Sequence, residues 1–201
     1  MYQHIDETFE GKDFSGADLS MGELRNCRFT KCRFRGTDMK EAAVSGCQFV
    51  DCDFTNSSMN GSVYTHTAFT NCRFAGANLF VAKFEQCKMT GSDFKEARLD
   101  GVSIAGGDWS YTNLRHVNLA KQDLRGVRFL EADLYECNLE KADLRNADLT
   151  KAHLAKAKVS GADFRGAVMD GIDFKTIDLK GARLDMLQVA AFARSYGIKI
   201  D

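Results

Sequence analysis

Large apolar side chains recur at every fifth position along nearly the whole chain. The series begins at Phe9, Phe14, Leu19 and Leu24 and ends at Phe174, Leu179 and Leu184, 36 positions without a slip. Thirteen of the 15 phenylalanines lie on it, so the register decides where the bulk of the chain goes. A helix would turn successive members by about 140° and scatter them round its axis, and a straight strand would throw them to alternate faces. Neither element fits. A chain that turns a corner after each unit puts every large residue on one axis. Two residues before each large residue the side chain is usually small, as at Ala17, Cys27, Cys32, Ala142 and Ala162, which suits a corner. Two residues after it comes glycine, in 14 of its 17 occurrences, which supplies the positive φ of a tight turn. The pattern predicts a solenoid.

The register stops at Leu184. Asp185 reads as an N-cap, Met186 to Tyr196 as a helix, and Gly197 as its left-handed stop, with Ile198 and Ile200 just beyond. On a helical wheel Gln188 and Ser195 hold a narrow polar wedge and apolar residues most of the rest. That is more apolar surface than covering one coil requires, so a second copy of the segment is expected against it. The expected organisation is a cap segment over residues 1–8, a solenoid over 9–184 and a helix with a dimerising tail over 185–201.

The unit small, Asp/Asn, Leu/Phe, polar, Gly stands plainly in Ala142-Asp143-Leu144-Arg145-Asn146 and Ala162-Asp163-Phe164-Arg165-Gly166. It resembles the pentapeptide-repeat family. The resemblance implies an all-β fold, a right-handed quadrilateral parallel β-helix of about nine coils with a short C-terminal helix. Residues 20 apart should then stack, Phe14, Phe34, Phe54, Phe74 and Phe94 in one aromatic ladder and Phe9, Phe29, Phe49 and Phe69 in another. The tail, with Ala182-Arg183-Leu184-Asp185, Gln188, Ala190, Phe192-Ala193 and Gly197-Ile198, resembles the ending of MfpA-type and Qnr-type members. These act on bacterial DNA gyrase, are associated with fluoroquinolone resistance, and dimerise into a rod shaped and charged like B-form DNA. The resemblance places the dimer contact on Leu187, Val189, Phe192, Ile198 and Ile200. The repeats carry no inserted loops, which makes the loop-free MfpA form the closer match.

Charge changes this picture. The chain has 201 residues, with 27 Lys+Arg against 28 Asp+Glu, so its net charge of −1 gives no global attraction to nucleic acid or membrane. Sorted onto the four sides, the charges total −2, +1, 0 and 0. Duplex DNA would present about three charges per ~4.8 Å coil. The first side, with Asp51, Asp108, Glu131, Asp148 and Asp170, is the candidate acidic partner-binding stripe. Phe80 and Val81, adjacent and outward in phase, are a candidate apolar contact.

Candidate chemistry loses to the register. All seven cysteines (27, 32, 47, 52, 72, 87 and 137) occupy the small corner slot, with four residues between neighbours and no histidine in step, so thiols are expected and a metal site is not. Gly101-Val102-Ser103-Ile104 lacks the closing glycine of a nucleophile elbow. The four histidines are expected on the surface. No catalytic residue, cofactor or metal is expected. Neither a transmembrane run nor a signal peptide is read, and a cytosolic location is expected. The expected partners are DNA gyrase, topoisomerase IV and a second copy of the chain, with no direct nucleic acid and no membrane. The alternative is a non-enzymatic structural or protein-interaction scaffold with no topoisomerase role.

Overall fold

The structure is a computed structural model that describes residues 3–200, and it divides into two compact units, Met1–Asp108 and Trp109–Asp201. Each is described by itself.

The first unit carries ten three-residue strands: β1 (Gln3–Ile5), β2 (Thr8–Glu10), β3 (Glu23–Arg25), β4 (Arg28–Thr30), β5 (Ala43–Ser45), β6 (Gln48–Val50), β7 (Val63–Thr65), β8 (Ala68–Thr70), β9 (Lys83–Glu85) and β10 (Ser103–Ala105). They form two parallel sheets, β1-β3-β5-β7-β9-β10 and β2-β4-β6-β8. Every registered pair is 20 residues apart, as in His4↔Leu24 and Phe9↔Phe29. The other two sides are joined by single bridges with the same step, such as Asp13↔Arg33 and Asp18↔Asp38. Four units therefore make one coil.

The sequence explains each corner. The Asp or Asn before the core residue accepts the N–H two residues on, Asp13 from Ser15 at 2.9 Å and Asp163 from Arg165 at 3.2 Å, which helps bend the chain. Two residues after the core residue φ is positive at every such slot from 6 to 181 except Thr176, in 14 glycines and 21 other residues. Glycine is thus favoured there but not required. The slot's N–H donates to a carbonyl of the next coil, Asp6 to Arg25 at 2.9 Å, and that bond helps offset the left-handed cost. The small slot is mostly buried, and several of its Cys, Thr and Ser side chains donate to the core carbonyl one coil back. Thr37 reaches Phe14 O at 2.8 Å, Cys52 reaches Phe29 O at 3.4 Å and Ser92 reaches Phe69 O at 3.0 Å. Burial pushes Cys47 up to about 12 and Cys87 up to about 11, which makes these thiols poor nucleophiles.

Both expected aromatic ladders are present. Phe14, Phe34, Phe54, Phe74 and Phe94 stack with centroids 4.7–5.1 Å apart, and Phe9, Phe29, Phe49 and Phe69 at 4.7–5.0 Å. Such pairs add about 1 kcal/mol each beyond burial. Two expectations need correcting. Gln3–Ile5, inside the segment expected as a cap, is the first strand of the ladder. His4 is not a surface residue out of phase: it occupies the core slot one unit before Phe9, half-buried, its ring edge-on to Phe9 at 4.9 Å.

In the second unit the 20-residue step continues as single bridges, from Asn113↔Asp133 to Asp163↔Arg183. Regular strands span about five turns of the chain rather than the nine coils expected, because in this unit each side keeps only one paired residue. The core slot is mostly leucine and the corner slot mostly alanine, nearly all of them buried. A 3-10 helix (Phe174–Thr176) interrupts the corners, and α1 (Met186–Ser195) follows. Asp185 caps α1 by accepting from Leu187 N and Gln188 N, and the Gln188 side chain accepts in return from Asp185 N at 3.0 Å. Gln188, expected in the polar wedge, is buried: its amide donates to the carbonyls of Phe164 and Ala167, fastening α1 to the last coils. Asp185 also accepts from Gly166 N at 2.7 Å, a side chain standing in for the next coil's carbonyl. These backbone donors hold its carboxyl below the usual range.

Candidate functional site

A filled solenoid offers surfaces rather than an interior pocket, so the candidate sites are faces. The most apolar surface lies on the C-terminal segment of the second unit. Met186 and Leu187 are 82% and 84% exposed, and Val189, Tyr196, Ile198 and Ile200 are also exposed. Phe192, grouped with them from sequence, is half-buried within its own unit, edge-on to Phe174 at 5.9 Å and close to Tyr196 at 5.1 Å.

The candidate acidic side is held differently from what its composition suggests. In the first unit Asp51 is exposed at a left-handed corner beside Asn71, and the Asp108 backbone pairs with that of Lys88. In the second, Glu131 lies 3.7 Å from Lys151 and Asp148 lies 3.4 Å from Arg128. Burial works against the Asp148 carboxylate, but bonds from Thr150 and the Arg128 charge keep it below the usual range. Asp170 is exposed. The stripe is thus interleaved with cations. The same holds on the neighbouring side, where Arg125, Arg145 and Arg165 each fold back on Asp123, Asp143 and Asp163 at 2.6–2.7 Å. Arg165 holds Asp163 down at about 2.

Phe80 and Val81 are 40% and 42% exposed, as their phase indicated. The Arg98 guanidinium lies 4.7 Å over the Phe80 ring. Val81 has φ 53°, a β-branched residue in the left-handed region, which stores strain at an exposed point.

One cluster escaped the sequence reading. In the second unit Tyr135 is half-buried beneath the Arg115 guanidinium at 4.2 Å, with Lys156 5.3 Å and the rings of His116 and His153 5.8 and 5.6 Å away. Carboxylates complete it: Asp133 meets Arg115 at 3.0 Å and His153 at 3.1 Å, and Glu136 meets His116 at 3.2 Å and Lys156 at 3.4 Å. The 20-residue step from 116 to 136 to 156 was the available signal. Each residue alone looked like surface. Among the described residues no three His, Cys, Asp or Glu side chains group as a metal site, and no helix is long and apolar enough to cross a membrane.

Known proteins place this architecture. A pentapeptide repeat region model matches residues 6–79 and 77–152, and a model of eight pentapeptide repeats matches 147–185. No curated protein matches by sequence. Among solved structures, a trypsin-treated variant of QnrB1, described as a plasmid-mediated fluoroquinolone resistance protein, superposes with a TM-score of 0.87 at 21% identity, covering 99% of each chain. Full-length QnrB1 gives 0.81 at 19% identity, covering 98% of this chain and 100% of that one. With the family models spanning nearly all of the ladder, the chain belongs to the pentapeptide-repeat family.

Proposed function

We propose that the protein is a non-enzymatic ligand of bacterial DNA gyrase, and by extension of topoisomerase IV, that competes with DNA and relieves fluoroquinolone poisoning. The observation that carries this reading is the superposition on QnrB1 over 99% of both chains, together with a ladder that runs without inserted loops. Self-association through Leu187, Val189, Ile198 and Ile200 belongs to the same reading, because these exposed side chains form the apolar edge an isologous two-fold contact needs. Phe192 supports that edge from beneath rather than forming it. The interleaved charges of the acidic side favour recognition by shape and paired ions over a continuous run of negative charge. They also favour the second reading, a protein-interaction scaffold with no topoisomerase role.

The test is supercoiling by purified gyrase with increasing protein, with and without a fluoroquinolone. Inhibition at micromolar protein, or rescue from the drug, is the expected result. No effect in either arm leaves the scaffold reading. Sedimentation of the full chain should give a dimer, and Leu187→Asp with Ile198→Asp a monomer.

A further inference from the structure

The N-terminal end of the first unit is an open sheet edge. β1 and β2 are the outermost strands of their sheets. Between β2 and β4, Arg28 N donates to Glu7 O at 2.8 Å and Gly11 N donates to Thr30 O at 2.9 Å, so Glu7, Phe9 and Gly11 turn their main-chain groups toward β4. The N–H and C=O groups of Thr8 and Glu10 point the other way and have no partner among the described residues. Both residues are exposed, and Phe9 between them is half-buried.

The aromatic ladders end at this edge. Phe9 stacks on Phe29 and Phe14 on Phe34, and among the described residues no ring stacks on their other faces. Lys12 Nζ lies 4.9 Å from the Phe9 ring centre and 5.2 Å from that of Phe14, and the His4 ring stands edge-on to both at 4.9 and 6.5 Å. The rim is acidic. Residues 3–20 carry five carboxylates, Asp6, Glu7, Glu10, Asp13 and Asp18, against one lysine, in a chain whose net charge is −1. His4 meets Glu7 at 2.6 Å and Arg33 meets Asp13 at 2.9 Å, while Glu10, on the edge strand itself, has no cationic partner among the described residues.

We propose that the β2 edge, Thr8–Glu10, is a docking site for an extended basic segment of a partner protein, added as one more strand, with a large apolar residue over Phe9 and Lys or Arg on either side of it. The unpaired groups select a peptide. Donors and acceptors alternate along one exposed line, which an extended backbone matches, whereas a nucleic-acid backbone offers acceptors alone and would meet a negative rim. A residue aligned with Phe9 points the way Phe9 does and stacks on it as Phe9 stacks on Phe29, in place of the Lys12 ammonium. Its two neighbours point outward beside Thr8 and Glu10, on the acidic surface. A second copy of this edge would set five carboxylates against five, so the rim that attracts a basic segment keeps copies apart. The strand is three residues long, roughly 10 Å of extended chain, so affinity rests on the apolar anchor and the charges as well as on main-chain bonds. This assignment stands independently of a topoisomerase role.

The experiment is fluorescence polarisation of a labelled heptapeptide, Gly-Lys-Arg-Phe-Arg-Lys-Gly, titrated with the full chain at physiological salt. Saturable binding is expected, weakened about tenfold or more by Glu7→Lys with Glu10→Lys, and likewise when serine replaces the peptide's phenylalanine. N-methylation of one alternate set of peptide amides should abolish binding and of the other set should leave it, because only one edge of the added strand is bonded. Hydrogen exchange at Thr8 and Glu10 should slow when the peptide is bound. Melting of the double variant near the parent value separates lost binding from lost fold, and the peptide variants test the site with the protein unaltered. Failure to saturate, equal behaviour of the two N-methylated peptides, equal binding of the serine peptide, or protection of Thr8 and Glu10 that rises with protein concentration alone, the mark of a second copy, overturns the proposal.

Discussion

From Gln3 to Asp108 the core slot carries ten phenylalanines and the corner slot six cysteines and five serines or threonines, whereas from Trp109 onward the core carries ten leucines and the corner eight alanines. The backbone recipe is the same, and the adhesives differ. In the first unit rings stack coil on coil, and corner thiols and hydroxyls donate to carbonyls of the coil behind, so the core itself ties successive coils. In the second, leucine and alanine supply close packing without direction, and directional contacts move outside, to Asp–Arg pairs such as Asp143 with Arg145. Regular strands occur only in the unit whose core is rich in aromatic rings. The 3-10 helix and the docked helix both belong to the aliphatic unit, which is the expected place for deviation when coils are not individually pinned.

The largest effect should come from emptying one core slot in each unit. Phe54 and Leu144 are both 0% exposed, and Phe54 stacks on Phe34 and Phe74. Phe54→Ala should cost about 4 kcal/mol and Leu144→Ala about 3 kcal/mol, the difference coming from the lost stacking and the larger cavity. Urea unfolding followed by hydrogen exchange in each unit measures both. Equal costs would mean that the aromatic ladder adds nothing that leucine packing does not.

How far the sequence foretold this arrangement depends on whether periodicity carried the information. The core slot, the corner slot and the two aromatic ladders were legible because 36 units repeat one demand, and so was α1, whose cap and stop are local signals. His4 was missed because a histidine in an apolar slot hides a register its neighbours would reveal. The Tyr135 cluster was not legible, since it depends on what lies 20 residues away along the chain and beside it in space. Nothing in Phe174-Lys175-Thr176 itself announces that a corner will become a 3-10 turn. That choice follows from Phe174 packing against α1, a tertiary contact overriding a local pattern.

The next effect tests the end of the aliphatic unit. Gln188→Ala removes the capping-box partner, leaves the carbonyl of Ala167 without a donor and leaves that of Phe164 with only the Ala167 N–H, at a cost of about 2 kcal/mol. It should appear as faster exchange over Met186–Ser195 with little change in the first unit. Uniform destabilisation of both units would show that the helix holds the whole ladder rather than its own end.

A smaller effect, of opposite sign, is expected at a strained corner of the aromatic unit. Val81→Gly relieves a β-branched residue at φ 53° and should raise stability by about 1 kcal/mol, the strain relieved exceeding glycine's added chain entropy. Thermal melting reads it. A loss instead would mean that the exposed valine contributes packing beside Phe80 worth more than its strain.

The smallest effect is specific to the charge ladder of the aliphatic unit. Asp163 sits at about 2 in the folded chain against an ordinary 3.8, held first by its bond from Arg165. A carboxyl depressed by folding contributes stability that is fully present above the unfolded value and is lost as pH falls through the folded one. The contribution should therefore be intact at pH 5, decline below pH 3.8 and be gone below about 2. The Asp163 side chain is largely covered, but its partner Arg165 is half exposed, so solvent screens the pair and the effect is modest. Comparing urea midpoints of the parent and Asp163→Asn at pH 5 and again below 2 isolates it, because the difference at the higher pH should shrink as the carboxylate protonates. If the difference is pH-independent, Asp163 acts through the N–H it accepts from Arg165, which asparagine also serves, and the outer ladder of the aliphatic unit is a set of turns rather than of ion pairs.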